Sequence, residues 1–117
     1  MQQHRIDRLN KLLFQSISNI VSFELRDNRL EEVSIEYVIV SPNMRDATVF
    51  FSVFNDEKMD LALAGLNSAS KVIRKKLADI LNLRFTPRLR FKFDKQEYKA
   101  QHIEDIIEKN GERYESE

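Results

Sequence analysis

Between Lys71 and Lys92 the chain sets eight bases, Lys71, Arg74, Lys75, Lys76, Arg84, Arg88, Arg90 and Lys92, against a single acid, Asp79. The chemistry open to such a set is phosphate binding. Each cation brought to a phosphate releases counterions, and arginine adds a planar donor fork and a face that stacks on bases. A solvated helix face that keeps Lys and Arg for solubility is the plain alternative. What tips the reading toward nucleic acid is the continuation, because Arg84 and then Arg88, Arg90 and Lys92 at alternate positions extend the cationic run into a strand. From Ala100 to Glu117 six acids oppose two bases, so a chain of zero formal net charge has a basic middle and an acidic end.

Other chemistries are poorly supplied. Gly65 and Gly111 are the only glycines, which leaves no loop of the P-loop or dinucleotide type. His4 and His102 stand in opposite end segments without metal-ligand spacing, so neither a metal nor a cofactor is expected. There is no cysteine, which removes thiol nucleophiles and disulfides and fits a reducing compartment. Asp56, Glu57 and Asp60 could pair as acid and base, but at a helix start their ordinary role is capping. The chain is read as a cytoplasmic protein that is not an enzyme, with neither a membrane span nor a signal peptide.

The elements that must carry the bases follow from periodicity. Ile6, Leu9, Leu13, Ile17 and Ile20 recur three or four apart and predict a helix reaching Arg26, ended by a turn at Asp27-Asn28-Arg29-Leu30. Two strands follow, Val33 to Val40 and Ala47 to Phe54, joined through Pro42. In the second, Val49, Phe51 and Val53 share one face and Thr48, Phe50 and Ser52 the other, so Phe50 is expected to be partly exposed. An exposed Phe50 or Tyr37 could stack bases, although strand aromatics are more often core. Asn55 and Asp56 cap a long helical pattern whose stripe is Leu66, Ala69, Ile73, Leu77 and Ile80, with Lys71, Arg74 and Lys75 on the opposite side. Lys76 flanks the stripe, and Gly65 inside a helix suggests close packing. After Asn82 and Pro87 comes a third strand with Leu89, Phe91 and Phe93 inward and Arg88, Arg90 and Lys92 outward; Ile103, Ile106 and Ile107 suggest a last short helix. One α+β domain is expected over residues 1–109, a three-stranded sheet with helices on one face, followed by a disordered acidic tail over 110–117.

Four ordered segments then carry a resemblance that spans nearly the whole chain. Glu24-Leu25-Arg26-Asp27-Asn28-Arg29-Leu30, Val40-Ser41-Pro42-Asn43-Met44-Arg45-Asp46-Ala47-Thr48-Val49-Phe50, Leu66-Asn67-Ser68-Ala69-Ser70-Lys71-Val72-Ile73-Arg74 and Leu83 to Asp94 are similar to motifs of the ribosome-binding factor A family. The resemblance implies a type II KH-like fold of order α-β-β-α-(kink)-α-β-α. Its interhelical kink, Ala-x-Gly in the family, falls here on Ala69, Ser70 and Lys71. It also implies binding to the small (30S) ribosomal subunit and its 16S rRNA during late maturation, including processing of the RNA's 5′ end, with no catalytic residues. Asn28 stands where the family has Pro, and Lys71 where it has the kink Gly. The chain is expected to be monomeric. A rival reading is a protein-protein module, such as a homodimer built on the two-faced strand Ala47 to Phe54, with no RNA role.

Overall fold

The apolar residues spaced along the first segment do line one side of a helix and bury it, with Leu13, Ile17 and Ile20 fully enclosed and Ile6 nearly so. The computed structural model of the chain describes residues 2–94. Helix α1 (Gln2–Asn19) passes into a π turn at Ile20–Glu24, so the regular helix stops short of the expected Arg26. The expected turn is present as a 3₁₀ turn at Asn28–Leu30. Asp27 accepts from the Arg29 backbone N–H at 2.9 Å, and the Arg29 guanidinium reaches both of its carboxylate oxygens, Nη2 at 2.7 Å. The hydrogen bond from Arg29 holds the Asp27 carboxyl below its ordinary value. Its contribution to stability is therefore present above the usual carboxylate range and is lost only as pH falls through the lowered value.

Strands β1 (Val33–Val40), β2 (Asp46–Val53) and β3 (Arg88–Phe93) form one sheet in the order β1-β2-β3. β1 and β2 run antiparallel while β3 lies parallel to β2, a pairing that needs a long crossover. Helix α2 (Met59–Leu81) supplies it. A register shift between Ile35 and Tyr37 places one extra residue in β1, and such a bulge turns the following side chains over. Val38 and Val40 are buried as a result, on the same side as Ile35, whereas Tyr37 and Ile39 look outward. With Val49 and Phe51 of β2 they meet Leu13, Ile17, Leu66, Ile73 and Leu77 in a single core between the sheet and the helices. Since β2 is the middle strand, both of its edges are already paired, which closes the strand-pairing route to a homodimer through it.

Two expectations about α2 need correction. Its backbone runs through Ala69, Ser70 and Lys71 without interruption, so the two helices expected on either side of a kink are one helix of 23 residues. Neither glycine nor proline interrupts this stretch, and Ala and Lys are strong helix formers. Ile80, placed in the buried stripe by spacing, is 54% exposed. The exit is as expected, with Asn82 in the left-handed region at φ 51° donating its N–H to the Ala78 carbonyl. Asn55 caps a 3₁₀ turn at Asp56–Lys58 that leads into the helix rather than capping the helix itself.

Gly65 is buried where α2 crosses the Asn28–Leu30 turn; a Cβ there would lie 3.0 Å from Leu30 Cδ2 and 3.1 Å from Arg29 Cβ. Helix propensity alone favours a larger residue by up to about 1 kcal/mol. We expect the opposite for Gly65→Leu, a loss of about 1–3 kcal/mol from overpacking, read as a fall in urea midpoint. The last short helix around Ile103 to Ile107 and the tail over 110–117 lie outside the described residues.

Candidate RNA interface

The alternation in β3 is realised, with Leu89, Phe91 and Phe93 half-buried toward the helices and Arg88, Arg90 and Lys92 exposed on the other face of the sheet. Lys71 and Lys75, one helical turn apart and both exposed, stand on the side of α2 away from buried Ile73 and Leu77. α2 packs on the sheet face opposite to that of Arg90 and Lys92. The eight bases expected to act together are thus divided between two faces of the molecule, an outer α2 face and an open sheet face.

Three of the eight have partners. Arg74 does not project freely, as the helical wheel suggests, but donates from Nε to the Pro87 carbonyl at 3.1 Å and from Nη2 to the Thr86 carbonyl at 2.8 Å. It thereby ties the segment between α2 and β3, including exposed Arg84, back against the helix turn that carries Lys71 and Lys75. The Lys76 ammonium meets Glu24 at 3.0 Å, and Arg88 Nε meets Asp46 at 3.0 Å. Both pairs are exposed to solvent and contribute little to stability. Lys71, Lys75, Arg84, Arg90 and Lys92 have no ion-pair partner among the described residues. Hydrogen bonds from a charged donor are worth more than those from a neutral one. Arg74→Ala is therefore expected to lower stability by about 1–3 kcal/mol in a denaturant melt, with Arg74→Lys restoring it only in part because lysine lacks the fork.

The open sheet face holds a feature that residue spacing does not reveal. Tyr37 pairs with Phe50 across β1 and β2, and their rings stack with centroids 4.4 Å apart and planes 16° from parallel. Strict alternation from buried Ile35 sends Tyr37 inward; only the bulge brings it out beside Phe50. In register, Phe50 lies next to Lys92 and Thr48 next to Arg90.

A cavity of about 410 Å³ opens beneath the π turn, lined in part by Val21, Leu25, Asp27, Leu30 and Val33. Its shifted titrating group, Asp27, is accounted for by the clasp with Arg29. No cluster of His, Cys, Asp or Glu that could hold a metal occurs among the described residues, and no helix among them is long and apolar enough to cross a membrane.

A family model described as Ribosome-binding factor A matches residues 5–107. Ribosome-binding factor A of Trichlorobacter lovleyi is 36% identical over 112 residues, which cover 95% of this chain and 91% of that relative. Its counterpart in Citrifermentans bemidjiense is 37% identical over 108 residues, covering 92% and 91%. Among solved structures, the crystal structure of ribosome-binding factor A from Thermus thermophilus superposes with a TM-score of 0.69 at 26% identity, over 75% of this chain and 93% of that one. A homology model of the Thermus thermophilus factor, fitted into the cryo-EM map of a 30S–RbfA complex, matches with a TM-score of 0.62 at 27% identity, over 72% and 89%. The mixed α+β, KH-like architecture is common to them and to this chain.

Proposed function

The chain belongs to the ribosome-binding factor A family, and from that membership we propose that it acts in late maturation of the small ribosomal subunit, binding 16S rRNA and assisting processing of its 5′ end. The observation that carries the RNA contact is the outer α2 face, where Lys71 and Lys75 project away from the core with Arg84 held nearby by Arg74. Exposed cations without acid partners are the groups that exchange counterions for phosphates. Arg74 serves this surface as a brace and Lys76 stays with Glu24. The protein works as a monomer in the cytoplasm by binding and release, with no cofactor and no catalytic step. The relative in the 30S complex supports the same partner for this chain.

The test is sedimentation of the full chain with purified small subunits at low and high salt. Co-migration that high salt abolishes is the expected result. Migration at the top of the gradient under both conditions, with the chain folded, would sink the reading.

A further inference from the structure

We infer that the open face of the sheet is a second RNA-binding surface, which takes unpaired nucleotides by stacking their bases on Tyr37 and Phe50 and holding their phosphates at Arg90 and Lys92. This deepens the proposed function, since it assumes an RNA partner and assigns this face a different part of it from the outer α2 face.

The register sets the layout. Across the three strands one row reads Tyr37, Phe50, Lys92 and the next reads Ile39, Thr48, Arg90. Tyr37 is 39% and Ile39 51% exposed, so an apolar and aromatic surface lies open on one side of two exposed cations. From Lys92 to Tyr37 is two strand spacings, roughly 10 Å, about the reach of one nucleotide from its phosphate to the far edge of its base. Arg90 and Lys92 are two residues apart along β3, roughly 7 Å, close to the separation of successive phosphates in an extended strand. A nucleotide chain running along β3 therefore brings successive phosphates to the two cations and lays its bases across β2 toward β1.

Charge selects this occupant over a protein. Lysine is depleted from the cores of protein interfaces, whereas here Lys92 stands in register beside Phe50 with no acid partner among the described residues. Two acids of this face are engaged. Asp46 is paired with Arg88, and Glu36 accepts from the Ser52 hydroxyl at 2.6 Å at the far end of the platform. The Glu36 carboxylate repels phosphate from the β1 side and so fixes the backbone of the bound strand to the β3 side. Aromatic faces accept any base, so the surface selects single-stranded over paired RNA rather than one sequence.

Fluorescence anisotropy of the full chain with two probes, a short oligoadenylate and an RNA hairpin, tests this alongside pelleting with small subunits. The double variants Tyr37→Leu/Phe50→Leu and Arg90→Gln/Lys92→Gln are each expected to weaken oligoadenylate binding about tenfold or more, with hairpin binding changed less than about twofold. Lys71→Gln/Lys75→Gln is expected to do the reverse. The Arg90/Lys92 pair is exposed, so its effect stands even if the aromatic pair proves necessary for folding. Oligoadenylate that fails to bind the unaltered chain while small subunits still pellet overturns this inference and leaves the proposed function intact. Equal losses on both probes overturn it as well. So does a self-association, seen in analytical ultracentrifugation, that the aromatic variant abolishes, because the face would then belong to a second copy. Retained oligoadenylate binding with no small-subunit pelleting would support the sheet-face site and defeat the proposed function instead.

Discussion

Replacing Lys71, Lys75 and Arg84 together by Gln is expected to weaken small-subunit binding on the order of 100-fold at physiological salt while leaving the fold unchanged. Each phosphate contact adds roughly 0.7–0.9 to the slope of log affinity against log salt on simple nucleic acids. Losing three of them should flatten that slope by about 2–3 and remove roughly two decades of affinity near 0.15 M. The three side chains are exposed and have no acid partners among the described residues, so nothing in the core depends on them. A control removes the same formal charge elsewhere, with Lys58, Lys109 and Arg113 changed to Gln. Lys58 is engaged with Glu32, and Lys109 and Arg113 belong to the acidic C-terminal segment of the sequence. Binding titrations at four or five salt concentrations separate the cases. Local contact predicts a flattened slope in the first triple only, and equal changes in both would show that net charge, not the α2 face, governs affinity.

Truncating Ile73 to Ala is expected to cost about 2–5 kcal/mol, the usual range for a fully buried aliphatic that leaves a cavity. In a domain of this size that corresponds to a fall in melting temperature on the order of 10–20 °C. Ile80→Ala is the informative partner. Spacing alone puts Ile73 and Ile80 on the same stripe, two turns apart, yet Ile73 has no accessible surface and Ile80 is 54% exposed. The second substitution should therefore shift stability by no more than about 0.5 kcal/mol. Circular-dichroism melts of the two variants decide the matter, and similar losses at both positions would mean that α2 ends against a surface other than the one described.

Several things were determined by local sequence. Hydrophobic periodicity was enough for α1 up to its π turn, for the buried side of α2 through Leu77 and for the in-out alternation of β3, because each buries one side against a common core and the period of that burial is written in residue spacing. The turn at Asp27 to Leu30 and the exit at Asn82 were legible from side chains that bond or tolerate the local backbone. The cationic segment was legible as well, since charge density is a property of composition.

Which of those cations share a surface was decided by the tertiary structure. Lys75 and Arg90 lie in one basic run, yet α2 covers one face of the sheet while the outward side of β3 looks the other way, so the single site expected becomes two faces. Arg74 shows the same limit, because its wheel position says only that it leaves the core, and its actual partners are carbonyls at Thr86 and Pro87 that the chain brings back twelve and thirteen residues later. The Tyr37–Phe50 stack depends on a single extra residue in β1, and a bulge is set by how two strands pair rather than by either strand's own pattern. Local order follows from the sequence's own spacing, whereas the facing of each charged or aromatic group is fixed by long-range register, where one residue's shift moves a side chain from the core to the open face of the sheet.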